Sequence, residues 1–172
     1  MKILLPVFLL TATCLLLTEA GMAQNPPTQT PRPGPPAGFP DLVGGLKATP
    51  GCLGVETART ASGKQVIFAW FENKEAAKRW YYSDTHMKAM QMGFPGHKPP
   101  EPMQDVPDNS GPIMAIASLM MSDKPAAPGM ALPVSQISIE LYSPLTGGVF
   151  AGGRFAPDSL KVPGMKDYTP KQ

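Results

Sequence analysis

The six-residue run Val66-Ile67-Phe68-Ala69-Trp70-Phe71 sets the tightest limit on what this chain can become. Short, and rich in β-branched and aromatic side chains, it reads as a strand. Side chains alternate along a strand, so Val66, Phe68 and Trp70 share one face while Ile67, Ala69 and Phe71 share the other. Both faces are apolar, so the sheet that holds this strand needs a cover on each side. A layered α+β arrangement, with helices on one face and something else on the other, meets that requirement.

The flanking sequence supplies the partners. Cys52 to Thr60 alternates Leu53, Val55 and Thr57 against Gly54, Glu56 and Ala58, and Ala61-Ser62-Gly63-Lys64 is a tight turn, so the two runs predict a hairpin. Asp41 is placed to cap a short helix through Leu42, Val43, Leu46 and Lys47, ended by Thr49-Pro50-Gly51. Asn73 begins the clearest helical pattern, Lys74 to about Met92, with Ala76, Trp80, Ser83, Met87 and Met90 forming one inward stripe. Glu75 with Arg79, and Asp84 with Lys88, are acid-before-base pairs on its solvent side. Gly93-Phe94-Pro95-Gly96 stops this helix, and residues 95–112 form a Pro-rich loop. Further strands are predicted at Ile113–Met121 and Val134–Tyr142, with a Gly-rich last strand at Val149–Phe155. The folded domain is thus expected over residues 41–156, and residues 157–172 as a loose tail. With helices on one face of an antiparallel sheet, the opposite apolar face predicts a second copy packed sheet to sheet, a homodimer.

Upstream of the domain, Met1 and Lys2 precede the apolar run Ile3–Leu17, and Gly21-Met22-Ala23 offers small residues at the positions a signal peptidase reads. Residues 1–23 therefore read as a secretory signal peptide cut after Ala23, predicting an exported protein, periplasmic or secreted. The run is too short for a comfortable bilayer span, which takes about 20 residues, so no stable membrane span is expected after cleavage. Cleavage also removes Cys14 and leaves Cys52 alone, so no internal disulfide forms and Cys52 reads as a buried, inert thiol. Residues 24–40 hold seven prolines and read as an extended linker.

Composition narrows the function classes. The chain has 22 prolines and 17 glycines among 172 residues, and only 16% charged side chains. That mixture excludes a coiled coil, a highly charged disordered chain and a collagen-like repeat. A net charge of +2, with the basic residues scattered, gives no pull toward nucleic acid. HExxH, CxxC, the P-loop and the serine nucleophile elbow are all absent from the sequence.

Two passages resemble the antibiotic biosynthesis monooxygenase-like family. Leu46-Lys47-Ala48-Thr49-Pro50-Gly51-Cys52-Leu53-Gly54-Val55-Glu56 is similar to the family's helix-to-strand passage. The stretch from Phe68-Ala69-Trp70-Phe71-Glu72-Asn73 to Trp80-Tyr81-Tyr82-Ser83-Asp84-Thr85-His86 is similar to its strand-to-helix passage. The resemblance covers about residues 41–92. It implies a ferredoxin-like antiparallel sheet with helices on one face that dimerises into an α/β barrel, in a family of cofactor-independent oxygenases acting on aromatic polyketides, haem-degrading enzymes and proteins of unknown activity. Two departures stand out. The family's first strand is missing, its place taken by linker, and Val134–Tyr142 is the strand expected to fill that sheet position. The catalytic tryptophan and haem-ligand histidine of the haem-degrading branch fall on Phe71 and Met90, which argues against that chemistry.

The candidate site follows from the aromatic residues. Trp70, Phe71, Trp80, Tyr81 and Tyr82 are expected to wall a pocket between sheet and helix for a small aromatic or apolar molecule. His86 would be its base or hydrogen-bond donor, the one nearby side chain with a suitable ordinary pKa. The alternative is a non-enzymatic ligand-binding or interaction module, with Trp80 as core, the tyrosines at an interface and His86 in solvent. A third possibility is copper held by His86, Met90 and His97, with Met87, Met92 and Met103 nearby, since thioether and imidazole ligands suit Cu(I). Core methionine is the commoner use of Met87 and Met90, and no resident cofactor is expected.

Overall fold

The computed structural model describes residues 37–171; the predicted signal peptide and most of the predicted linker lie outside them. Helix α1 spans Leu42–Ala48, and the Asp41 side chain accepts a hydrogen bond from the Gly44 N–H at 2.9 Å, satisfying one orphan donor of the first turn. Gly45 weakens this helix intrinsically but permits a close contact: a Cβ there would stand 2.7 Å from Thr85 Cγ2. Gly51, at φ +84°, turns the chain into strand β1 (Cys52–Arg59) where a Cβ would meet that of Ala76 at 2.6 Å. The predicted hairpin forms between β1 and β2 (Gln65–Phe71), with Thr60 Oγ1 accepting from the Lys64 N–H at 3.0 Å.

The single long helix expected from Lys74 to Met92 is two helices, α2 (Lys74–Tyr81) and α3 (Asp84–Gly93). Asn73 caps the first and Ser83 the second, its hydroxyl accepting from the His86 N–H at 3.2 Å. Ser83 therefore ends one helix pattern and starts another instead of joining an inward stripe, because a serine oxygen competes well for free N–H groups. The buried positions of these two helices are Lys74, Ala76, Ala77, Ala89 and Gly93, while Met87 is 36% exposed. Arg79 donates from Nε to the Pro50 carbonyl at 3.1 Å, bracing α2 against the turn before β1. Among the described residues, neither Glu75–Arg79 nor Asp84–Lys88 forms an ion pair.

Strands β3 (Ile113–Met121) and β4 (Val134–Tyr142) complete a four-stranded antiparallel sheet in the order β1-β2-β3-β4. Ile113–Met121 is the strand beside β2, and Val134–Tyr142, expected to fill the vacant position, lies outside it at the edge. Register carries the alternation across the sheet: Val55, Ala69, Ala115 and Leu141 form one row, Gly54, Trp70, Met114 and Tyr142 the next. The first row faces the helices, where Leu46, Ala69, Phe71, Ala76 and Ala77 form the core and Val55, Ile67, Trp80 and Ala115 pack against it.

The opposite face carries the main departure from expectation. The last strand is only the pair Val149–Phe150, β5, parallel to β6 (Lys166–Asp167) in a small second sheet. Between them the chain folds back as a strap over the Trp70 row. Phe155 meets Phe68 and Trp70 edge to face, with ring centroids 4.9 and 5.2 Å apart. Leu160 is 2% exposed. Ser159 Oγ donates to the Leu53 carbonyl at 3.0 Å. Leu160, with the half-buried Pro157, Val162 and Met165, thus packs on the sheet within a stretch expected to be a loose tail. The domain runs past residue 156, and part of the face assigned to a second copy is covered by the chain itself. Among the described residues, no helix is long and apolar enough to cross a membrane.

Candidate functional site

Between the strap and the sheet lies a groove of about 370 Å³. Trp70 and Met114 line its sheet side, while Phe155, Leu160, Val162 and Met165 line its strap side. Its size falls in the usual range for small-molecule sites, roughly 300–1,000 Å³, and its walls are chiefly hydrocarbon, aromatic ring and thioether.

Arg154 builds this wall. Its Nη2 donates to the Pro157 and Leu160 carbonyls at 2.7 and 2.6 Å, and Nε lies 3.5 Å from Asp158. Three oxygens around one planar guanidinium fix the loop by its fork of donors. Tyr142, at the rim, donates its hydroxyl proton to Glu140. That bond holds the Tyr142 phenol above its ordinary pKa and the Glu140 carboxyl below its own, with Ser138 adding a second donor to Glu140. The titratable side chains on the groove wall, Arg154 and Tyr142, are therefore both engaged elsewhere.

The sheet divides the side chains expected to share one pocket. Trp70 lies on the groove side, 3% exposed. Phe71, its neighbour in sequence, is buried on the helix side at 1% exposure. Trp80 packs against that same core, and its ring centroid lies 5.4 Å from that of His86. Tyr81 is tilted against His86 at 5.0 Å and donates its hydroxyl to the Pro100 carbonyl, tying the long loop to α2. Tyr82 stacks edge-on to Tyr81 and is exposed. Trp80, Tyr81 and His86 thus form one cluster, and Trp70 stands apart from it across the sheet.

His86 Nδ1 lies 2.7 Å from the Tyr81 carbonyl oxygen. A carbonyl only accepts, so Nδ1 carries the proton and Nε2 is the acceptor of the neutral ring. Burial pushes the imidazole pKa below its usual value, partly offset by that carbonyl. For copper, Nε2 is the ring nitrogen left to coordinate; Met90 is half-buried on α3, His97 is exposed in the loop beyond, and Met103 packs against the helical core. Among the described residues, no three His, Cys, Asp or Glu side chains form a metal-sized cluster. Cys52 is partly buried, and burial raises its thiol pKa, which keeps it in the unreactive form.

Sequence reasoning missed Met114, Arg154, Phe155, Leu160 and Met165 as groove residues. It also missed Lys74, buried at the start of α2 with Nζ donating to the Val106 carbonyl at 2.6 Å and to Asp108 at 2.8 Å. No protein-family model matches the chain, and no curated protein or solved structure is significantly similar to it.

Proposed function

We propose that this protein is an exported binding module for a small, neutral, aromatic or apolar molecule, held in the groove between the Trp70 row and the C-terminal strap. One observation carries the reading: the groove is walled by Trp70, Phe155, Met114, Leu160 and Met165, and among the described residues the titratable side chains on its wall are already committed. Such a site rewards a flat hydrocarbon surface and offers no base to activate it. Binding without chemistry is therefore preferred to the oxygenase reading that the family resemblance implies. Export rests on residues 1–23.

Titration with 2-naphthol, a neutral planar probe, tests this through methionine methyl resonances. Met114 and Met165 are expected to shift while the exposed Met87 does not, and Phe155→Ala is expected to weaken binding about tenfold, or about 1.4 kcal/mol. Shifts at Met87 alone, or none, would remove the groove from consideration.

Cofactor-free oxidation is the second reading, favoured by the neutral His86 with Nε2 as acceptor beside Trp80 and Tyr81. It requires a substrate on the helix side, and oxygen uptake with an electron-rich phenol would have to vanish in His86→Gln. Copper held by His86, Met90 and His97 is third. For the ferredoxin-like barrel, the strap is an obstacle: two sheets stacked through the face away from the helices would first meet Phe155 and Pro157.

A further inference from the structure

The outer edge of the sheet bears a feature that the groove does not use. Strand β4 has β3 on one side and, among the described residues, no strand on the other. Ile137, Ile139 and Leu141 stand on the helix side of this edge, 49%, 63% and 40% exposed, beyond the ground that α1 and α2 cover over β1 and β2. Exposed sheet edges are usually blunted by lysine, proline, a bulge or short length. β4 is nine residues long, Val-Ser-Gln-Ile-Ser-Ile-Glu-Leu-Tyr, with neither lysine nor proline, and its one pairing irregularity lies at its start. The opposite edge, β1, bears Glu56 and Arg59, and its Leu53 carbonyl is taken by Ser159.

We propose that β4 pairs antiparallel with β4 of a second copy, about a two-fold axis through Ile139. In that register Ile139 faces its own copy, Ile137 faces Leu141, Ser138 faces Glu140 and Gln136 faces Tyr142. The pattern is self-complementary, as a two-fold interface demands. All three aliphatic residues meet aliphatic residues, and the one charged side chain meets a hydroxyl. Moving the axis to Glu140 sets like charges against each other, and moving it to Ser138 leaves Leu141 against Ser135. Residues directly opposite share a face, so the two helix layers lie on the same side of an eight-stranded sheet. The joined stripes then form a floor of six aliphatic side chains between those layers. The seven residues Gln136–Tyr142, at about 3.4 Å each, give a contact roughly 24 Å long. The aliphatic stripe lies on the face away from the groove, which meets the pairing only at Tyr142 on its rim, so either can fail alone.

Sedimentation of the full chain at micromolar concentration, with far-UV circular dichroism to verify folding, is the test. The wild type is expected to be a dimer, and Ile139→Lys and Ile139→Asp each a folded monomer, because each sets like charges at the axis. Mixing those two variants is expected to restore the dimer, with lysine opposite aspartate. Ile137→Lys and Leu141→Asp, monomeric alone, are likewise expected to dimerise when mixed, which keeps the register testable if a position-139 variant fails to fold. A monomeric wild type, a dimer that survives Ile139→Lys, or folded variant pairs that do not re-associate on mixing would each overturn the proposal.

Discussion

Replacing Leu160 by alanine asks whether the strap is integral to the fold. Leu160 is 2% exposed, its N–H donates to the Pro157 carbonyl and its own carbonyl accepts from Arg154. The substitution removes three buried carbons, worth roughly 2.4 kcal/mol at about 0.8 kcal/mol each. Unfilled space adds to that loss, but Leu160 borders an open groove into which neighbours can relax, so the total belongs near the low end for Leu→Ala, about 2.5–3 kcal/mol. With a urea m-value of about 2 kcal/mol/M, the unfolding midpoint falls by roughly 1.3 M. Leu145→Ala is the control: Leu145 is 86% exposed at the groove rim, and its loss should cost less than about 0.5 kcal/mol. If the two variants unfold at the same urea concentration, the strap contributes nothing to stability, and the groove it walls has no fixed shape.

Two further outcomes test groups on the helix side. Lys74 holds the Asp108 carboxyl below its ordinary pKa by hydrogen bond and charge, so this pairing favours the fold above about pH 4 and is lost as pH falls through the lowered value; in Lys74→Met, NMR titration should return Asp108 to the usual carboxylate range. His86 should titrate below about 6.5 with its proton on Nδ1, visible in imidazole nitrogen shifts. The unfolded chain then binds the extra proton first, so stability declines as pH drops below about 6.5, and His86→Gln should flatten that part of the profile.

β1 and β4 were legible because their side chains alternate apolar and polar, β2 and β3 because each is a short continuous apolar run bounded by turn residues, and α1 because Asp41 and Gly51 mark its ends. The strap was not. Phe155, Leu160, Val162 and Met165 are single apolar residues among prolines and glycines, with no period to reveal a shared face; only register and contact bring them together. Ser83 was ambiguous in another way, since a small residue on an inward stripe and a helix cap look alike until the hydrogen bond is seen. The split site was readable in part. Strand alternation already sends Trp70 and Phe71 to opposite sides, which conflicts with a pocket walled by both. The burial of Lys74 gave no signal, because its partners, Val106 and Asp108, lie more than thirty residues away.

That split has a practical use. The chain has two tryptophans, and the sheet stands between them. One indole reports on the C-terminal segment and the other on the helical layer, so replacing either by phenylalanine leaves an emission spectrum that watches a single side. The order in which the two sides loosen under denaturant can then be followed by natural fluorescence, without attaching a dye.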